Sequence, residues 1–295
     1  MRIYFTLLIS LLSLKATAQA PGYDSITNFL GETPNPYIGE TLYLNGKPDF
    51  QRSEGYENFV IDYKEDKMKK ANVYQCCDFY NAKYDAIHGH YFKVIAVLPH
   101  PKAVSKPYPY ASRYFLQLQD AANNQTTYYE YDSKEESKFP FIVVAYYEKI
   151  KATNLSKRFV FKNAEVRKLT GKNPQPGELW TCTDVIIENE KNEIAMKFTN
   201  AAGTTITIPY KEVMGAYGSV NAFTELEAAD YNRRFGNDNW NSILYNQLKN
   251  GMSEEMAKLT WGEPKRTNHL TDGTDQWVYD DHYLYFKSGK LVRTQ

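Results

Sequence analysis

The chain has few of the residues that would identify its class at once. Among its 295 residues there are only three cysteines, the adjacent Cys76 and Cys77 and the single Cys182. A disulfide-stapled scaffold needs more cysteines than this, so that class is excluded. The adjacent pair could form a vicinal bridge, or one member could pair with Cys182. All three could equally be buried thiols that act as small hydrophobic side chains.

An excess of charge is also absent, since 35 lysines and arginines balance 35 aspartates and glutamates. Without residues 1–20 the chain loses two basic residues and no acidic one, which leaves a formal charge of −2. Such a balance offers no electrostatic footprint for nucleic acid or for an anionic membrane. No apolar run after residue 20 is long enough to cross a bilayer. We therefore expect neither nucleic-acid binding nor a membrane span in the mature chain.

The longest apolar run lies at the N-terminus. Arg2 precedes a mostly apolar stretch that ends at Leu14, and Ala18-Gln19-Ala20 has the small residues of a cleavage site. This pattern is typical of a signal peptide, here residues 1–20. No cysteine stands at the cleavage site to accept a lipid. We therefore expect an exported bacterial protein, periplasmic or secreted, that is soluble after removal of the signal peptide.

Tyrosine is abundant instead, with 25 residues, and most of the tyrosines alternate with aliphatic residues in short runs. This alternation predicts half-buried antiparallel strands. Asn45-Gly46, directly after the first run, predicts a hairpin turn. The clearest predicted strands are Thr41–Leu44, Tyr91–Leu98, Tyr114–Gln119, Thr126–Tyr131, Phe141–Tyr147 and Arg158–Lys162.

A weak internal repeat relates two stretches, one from Gly89 and one from Gly177. Each has a glycine, a long strand, a turn, an alternating strand, a turn of small residues and a Thr-Thr strand that ends in an aromatic residue. Each copy predicts a small, bent meander like those of SH3-like barrels. The copies could be a duplication or two unrelated meanders. They define a first β-rich domain over 21–150 and a second over 151–222.

From Thr224 the hydrophobic period changes from two to about 3.6, which predicts helices. Trp240, Ile243, Leu244 and Leu248 form a core-facing stripe on a helix that should end at Asn250-Gly251. A third helix should begin after Ser253, a good N-cap, and stop at Gly262 before Pro264. Two further strands should pair around Asp280-Asp281, with a last strand from Leu291. The fold class is therefore α+β and mostly antiparallel β, with a third domain over 223–295.

The third domain contains a short pattern of glycine, proline and apolar residues, formed by Gly251-Met252-Ser253, Met256, Leu259, Gly262, Pro264, Trp277, Tyr279, Leu284, Phe286 and Gly289. In this pattern the domain resembles the SmpA/OmlA family, the BamE-like module of bacterial outer-membrane assembly. The resemblance covers about 234–295 and implies a helix packed on a β-meander in an envelope protein. The chain lacks the lipidation cysteine of that family. The same architecture is similar to that of secreted β-lactamase-inhibitory proteins, which bind an enzyme through the sheet face.

Candidates for a metal or catalytic site are sparse. His88 and His90 would share one face of a strand, with His100, Cys76 or Cys77 as further ligands. Two histidines that flank one glycine provide half of a tetrahedral site, so we expect no metal and no other cofactor. A thiol nucleophile at Cys76 or Cys77 with a histidine base is the alternative. We predict no catalytic residue.

Tyr283 and Tyr285 alternate with Leu284 and Phe286, so they should face outward if the latter two pack on the helices. Exposed aromatic residues on a sheet make a good binding surface. The sequence therefore favours a non-catalytic binding or scaffolding module with Tyr283 and Tyr285 as ligand-binding residues. Its partner would be a protein or cell-wall component of the envelope. The alternatives are a Cys/His hydrolase or metal-dependent enzyme, and a secreted inhibitor of a hydrolase.

Overall fold

The computed structural model describes residues 22–105, 107–171, 175–215 and 221–295. The predicted signal peptide lies outside the described residues. The fold is α+β, and its three larger sheets are built from antiparallel pairs, as the sequence predicts. Short 3-10 helices cover Asn35–Tyr37, Lys70–Asn72 and Glu136–Lys138.

The first unit contains a six-stranded sheet and a separate two-stranded hairpin. The order in the large sheet is β2-β7-β6-β5-β1-β8, and β3 pairs with β4. Its helices are α1 (Asp49–Arg52), α2 (Tyr84–Ile87), α3 (Pro101–Ser105) and α4 (Pro107–Tyr110). Its strands are β1 (Thr41–Leu44), β2 (Phe59–Val60), β3 (Cys76–Asp78), β4 (Asn81–Ala82), β5 (Tyr91–Pro99), β6 (Arg113–Asp120), β7 (Thr126–Asp132) and β8 (Phe141–Val143).

The second unit is a five-stranded sheet in the order β12-β11-β10-β9-β13. Its strands are β9 (Arg158–Phe161), β10 (Leu179–Glu188), β11 (Glu193–Asn200), β12 (Thr205–Pro209) and β13 (Ala222–Thr224). Its helices are α5 (Val144–Asn154), α6 (Asn163–Thr170) and α7 (Tyr210–Val213). Without β2, the first sheet has the same order as the second. In each sheet a three-stranded meander is followed by a strand from an earlier part of the chain (β1 or β9) and then by a strand from a later part (β8 or β13).

The C-terminal module has three helices and a four-stranded meander, β14-β15-β16-β17. The helices are α8 (Glu225–Phe235), α9 (Asn237–Leu244) and α10 (Glu254–Trp261), and the strands are β14 (Arg266–His269), β15 (Thr274–Val278), β16 (Tyr283–Lys287) and β17 (Lys290–Thr294). The N-cap prediction is confirmed, because the Ser253 side chain accepts a hydrogen bond from the Met256 amide. Gly262 ends α10 with a positive φ of 87°, which glycine adopts without steric cost.

Aromatic and aliphatic side chains fill a separate core in each β unit and a third core in the C-terminal module. The third core also contains Val160 and Phe223 of the second unit. Lys162 of the second unit is buried, and its Nζ donates to the Thr260 carbonyl oxygen at 2.8 Å. Because burial disfavours the charged form, the Lys162 pKa is lowered to about 8. The module is therefore packed against the second unit.

Several sequence predictions differ from the structure. Asn45-Gly46 does not close a hairpin, since β1 pairs with β5 and β8 and the chain continues into α1. The run 141–147 is a strand only to Val143, after which α5 begins and places Ile150 in the second core. The helix predicted to reach Asn250 ends at Leu244, where Asn246 takes a positive φ of 56°. These outcomes depend on tertiary packing, which overrides local propensity.

The predicted domain boundaries fall inside elements of the structure. The boundary after residue 150 lies within α5, and the boundary after residue 222 lies within β13. Strand β14 has no counterpart in the sequence prediction, because Arg266–His269 contains no apolar residue. It is an edge strand that pairs only with β15 in the sheet order, a position where polar residues are common.

Candidate functional site

The two tyrosines predicted to bind a ligand lie on β16 of the C-terminal sheet. Leu284 and Phe286 are buried in the third core, so Tyr285 between them lies on the opposite face. Tyr283 is 36% exposed, whereas Tyr285 is only 8% exposed. The Arg293 guanidinium lies 3.9 Å from the centre of the Tyr285 ring. Tyr285 therefore contributes little free aromatic surface, and a binding role for Tyr283 stays a prediction.

Hydrogen bonds to neighbouring side chains explain why Tyr285 is covered on this face. The Tyr285 hydroxyl donates to Gln295 Oε1 and accepts from Gln276 Nε2, both at 3.0 Å. Asn268 Nδ2 continues the row by donating to Gln276 Oε1 at 2.8 Å. The outward face is thus a hydrogen-bonded polar ladder and not a row of exposed rings. Period-two alternation predicts the face of a residue but not what covers it.

The histidines of the predicted metal candidate have separate structural contacts. The His88 ring stacks on Tyr84 with centroids 4.5 Å apart. His90 Nδ1 lies 2.9 Å from Oδ2 of the buried Asp120, which also accepts from the Tyr74 hydroxyl at 2.8 Å. Among the described residues, no group of three or more His, Cys, Asp or Glu side chains is arranged to hold a metal ion.

The adjacent cysteines are bonded to each other, which is the vicinal arrangement among the three possibilities. They lie in β3, and the chain turns at Phe79 and Tyr80 into β4. Cys182 is the free cysteine of the described chain and is fully buried. Burial raises its pKa to about 11. A thiol nucleophile needs a free, activated sulfur, and no cysteine here provides one.

A thiol count tests this pairing. In the native, non-reduced protein we expect no rapid reaction with a colorimetric disulfide reagent, because Cys76 and Cys77 are bonded and Cys182 is buried. After denaturation without a reductant we expect one thiol per chain, that of Cys182. Three thiols after denaturation would contradict the Cys76–Cys77 pairing, and rapid reaction in the native state would contradict the burial of Cys182.

The two β units meet at the turn between β10 and β11. The Tyr43 hydroxyl donates to Asn189 Oδ1 at 3.0 Å, and Asn45 Nδ2 donates to Asn192 Oδ1 at 2.8 Å. A β-carbon added to Gly46 would lie 2.8 Å from the Asn189 β-carbon. Gly46 is therefore required by this close approach of the two backbones, although the sequence suggested only a hairpin turn there.

Two further contacts join the units beside this turn. Lys211 Nζ at α7 lies 3.0 Å from Oε1 of Glu136 in the first unit. Helix α5 follows β8 directly, and its half-buried Tyr146 packs against both the first and the second core. The described contacts between the units are thus polar at the turn and apolar around Tyr146, and they leave open space on both sides of the turn.

This space forms two adjoining clefts of about 440 Å³ and about 760 Å³. Ser137, Lys191 and Asn192 line both clefts, so we treat them together as the inter-unit groove. Its larger part has apolar walls from both units, which include Phe29 and Ile142 on one side and Ile194 on the other. Clefts of this size with apolar walls and a few polar groups are typical of ligand sites.

Burial shifts the pKa values of several ionisable groups that line the larger cleft. Burial, followed by the neighbouring Tyr210 and Glu136, raises the pKa of Tyr146 to about 12. Burial also raises the pKa of Tyr210 and that of Glu193. Both phenols therefore stay protonated at neutral pH and can donate hydrogen bonds. No sequence signal identified these residues, because they come from α5, α7 and β11.

A buried ion network lies beside the smaller cleft. Asn58 and Lys138 line both the cleft and the space around the network. Glu130 is 4% exposed and contacts Lys67 at 2.6 Å and Arg113 at 2.9 Å. Burial alone would raise the Glu130 pKa, but the two cations outweigh it and lower the pKa. His100 Nε2 lies 3.6 Å from the same carboxylate, and burial lowers its pKa despite that charge.

Both shifts predict a loss of stability in acid. The unfolded state binds a proton at His100 near its ordinary pKa of 6.5, before the folded state does, so stability falls as the pH drops below that value. Glu130 stabilises the fold above its ordinary pKa of 4.5, and this contribution is lost as the pH falls through its lowered folded value. Urea unfolding at about pH 7.5, 5.5 and 4 measures both steps. His100→Gln should flatten the first step and Glu130→Gln the second; unchanged slopes would contradict the assignment.

Comparisons of the chain with protein-family models, with curated proteins and with solved structures find no match. Within the described part of the chain, no helix combines the length and apolar character needed to cross a membrane. Function is therefore argued from the groove and its residues.

Proposed function

We propose that this chain is a non-catalytic binding protein of the bacterial envelope whose ligand lies in the inter-unit groove. The observation that carries the proposal is a groove with walls from both β units and half-buried donors inside it. A site between two packed units is a common location for a ligand. The envelope location rests on the predicted signal peptide.

The ligand that suits this groove best is a short, extended, near-neutral peptide segment. The two adjoining clefts together enclose more space than a compact small molecule needs. Lysines and glutamates both line the clefts, which disfavours a strongly anionic polymer such as nucleic acid. The exposed Ile26 and the half-buried Phe29 and Tyr146 offer apolar surface that complements apolar side chains of a peptide.

The modules also support a scaffolding role. We propose that both β units are SH3-like, since they share one strand order and each has a short helical turn before its last strand. We propose that the C-terminal module is BamE-like, on the strength of its helices and antiparallel meander. The bonded Cys76 and Cys77 and the buried Cys182 favour this binding role over a Cys/His hydrolase.

The proposal is tested by NMR titration of the labelled protein with blocked tetrapeptides Ac-Ala-X-Ala-Ala-NH2, in which X is Leu, Lys or Glu. We expect shifts at groove residues. Ile26→Glu should abolish them, since Ile26 lines the groove and is 65% exposed. The matched control is Leu226→Glu on α8, because Leu226 is 83% exposed and does not line the groove.

Three outcomes would overturn this function. If none of the peptides shifts groove residues, the groove is not a peptide site. A parallel titration with N-acetylglucosamine oligomers covers the other cell-wall chemistry, and groove shifts with the oligomers alone would replace the peptide by a glycan. Shifts confined to the surface around Tyr283 would move the binding site to the C-terminal sheet.

A further inference from the structure

One carboxylate that lines the larger cleft of the inter-unit groove forms no ion pair with a cation of the described chain. Lys211 is paired with Glu136 at 3.0 Å, and Lys191 is paired with Glu188 at 2.8 Å. Glu193 lines the same cleft and is half-buried. Among the described residues, no ion pair or hydrogen bond involves its side chain. The larger cleft therefore has one unmet negative charge.

The position of Glu193 makes this charge unfavourable by itself. Glu193 begins β11 and lies directly opposite Glu188 in the antiparallel pair. Like charges at directly opposite positions destabilise a sheet. Burial is the main cause that disfavours the charge, Glu212 of α7 adds a further negative charge nearby, and Lys191 and Lys211 act in the opposite direction without forming an ion pair with Glu193. A cation bound beside Glu193 would relieve this repulsion.

Two aromatic rings line the cleft with this carboxylate. Tyr146 on α5 and Tyr210 at the start of α7 have ring centroids 6.4 Å apart and planes at 80° to each other. Both rings are half-buried. Neither hydroxyl has a hydrogen-bond partner among the described residues. Two ring faces near a right angle, together with a carboxylate, are the elements of an aromatic cage for a cation.

We infer that Glu193, Tyr146 and Tyr210 form an amine subsite that binds the ammonium group of the peptide ligand. The inference rests on the proposed function, in which the groove holds a peptide segment. The ammonium can come from a lysine-like side chain or from a free peptide N-terminus. A carboxylate or phosphate in this position would meet the unmatched Glu193 and be repelled.

The test compares two blocked peptides of equal size, Ac-Ala-Lys-Ala-Ala-NH2 and its norleucine counterpart, which lacks the ammonium. Calorimetric or NMR titration at about pH 7.5 should show the lysine peptide binding about tenfold more tightly, the size that a cation–π contact and a partly buried ion pair supply together. Glu193→Gln should remove the preference. The matched control Glu148→Gln, at an exposed glutamate of α5 that lines neither cleft, should retain it.

The outcomes separate the two proposals. Equal binding of both peptides, or a lysine preference that survives Glu193→Gln, overturns the amine subsite and leaves the groove as a peptide site. Binding of neither peptide overturns both. A third peptide with a free N-terminal alanine and no lysine distinguishes the two amine sources, since it should show the same Glu193-dependent preference only if the subsite takes a peptide N-terminus.

The pH dependence gives a second readout that a purely structural role would not change. Because the Glu193 pKa is raised above its ordinary value of 4.5, its carboxylate takes up a proton at a higher pH than an ordinary glutamate does, while the peptide ammonium stays charged. The lysine preference should therefore decrease as the pH falls from about 7.5 to about 5. In Glu193→Gln the ratio of the two affinities should not vary over this range, and an unchanged ratio in the native protein would count against the subsite.

Discussion

Replacing Trp277 by alanine should lower the free energy of unfolding by about 3–5 kcal/mol, the usual cost of removing a buried tryptophan. Trp277 is 4% exposed and faces Leu284 across the β15–β16 pair. Its ring centroid lies 4.4 Å from that of Phe286. Helix α10, which contributes to the same third core, has barely two turns and cannot be stable by propensity alone. It therefore depends on packing in this core.

The loss should extend beyond the module, because Val160 and Phe223 of the second unit belong to the same core. Urea unfolding followed by far-UV circular dichroism measures it. Tyr283→Ala on the same sheet is the control and should change the free energy of unfolding by less than about 0.5 kcal/mol, as most surface substitutions do. A Trp277→Ala transition that matches the native one would refute the packing described above.

Replacing Gly46 by valine should open the contact between the two β units at the β10–β11 turn and distort the inter-unit groove. The new β-carbon would lie 2.8 Å from the Asn189 β-carbon and 3.2 Å from the Asn189 carbonyl oxygen. Overpacking of this kind costs about 1–3 kcal/mol when the neighbours cannot move. Here the contacts across the turn can open instead. This cost is comparable with the roughly 1.4 kcal/mol that corresponds to a tenfold change in affinity. We therefore expect binding of the groove peptide to weaken by more than about tenfold.

NMR of labelled Gly46→Val measures both consequences. Signals of Asn189 and Asn192 should shift, whereas signals of the first and second cores should stay near their native positions. Gly22→Val is the matched control, since an added β-carbon at Gly22 meets nothing within 4 Å. Native-like peptide affinity in Gly46→Val would show that the groove does not depend on this contact.

Much of the local structure follows from residue pattern because the causes are local. Alternation located the strands from Thr41, Tyr91 and Thr126 to within a residue or two. Ser253 caps α10 through its own side chain, and a glycine with a positive φ ends that helix. The same reasoning missed one available signal. Thr224 and Glu227 form a capping box at the start of α8, and this spacing is visible in the sequence.

The candidate site was not predictable in the same way. Its residues come from distant parts of the chain, and their ordinary local roles gave no reason to connect them. Asn45-Gly46 has the composition of a hairpin turn, yet it serves as a contact point for Asn189 and Asn192. Tyr285 has the alternation of an exposed residue, but Arg293 covers it. Such outcomes depend on which elements meet, and loop and turn composition does not encode that.

The sequence by itself determined the α+β class, the antiparallel strands, the third helix with its two ends and the balance of charge. These properties depend on backbone propensity, on capping and on alternation between neighbours in the chain. Only the tertiary structure decided that the two β units meet at the β10–β11 turn and leave Glu193 unmatched beside Tyr146 and Tyr210. The physical reason is that burial and charge pairing depend on neighbours in space, which here are up to about 150 residues apart in the chain.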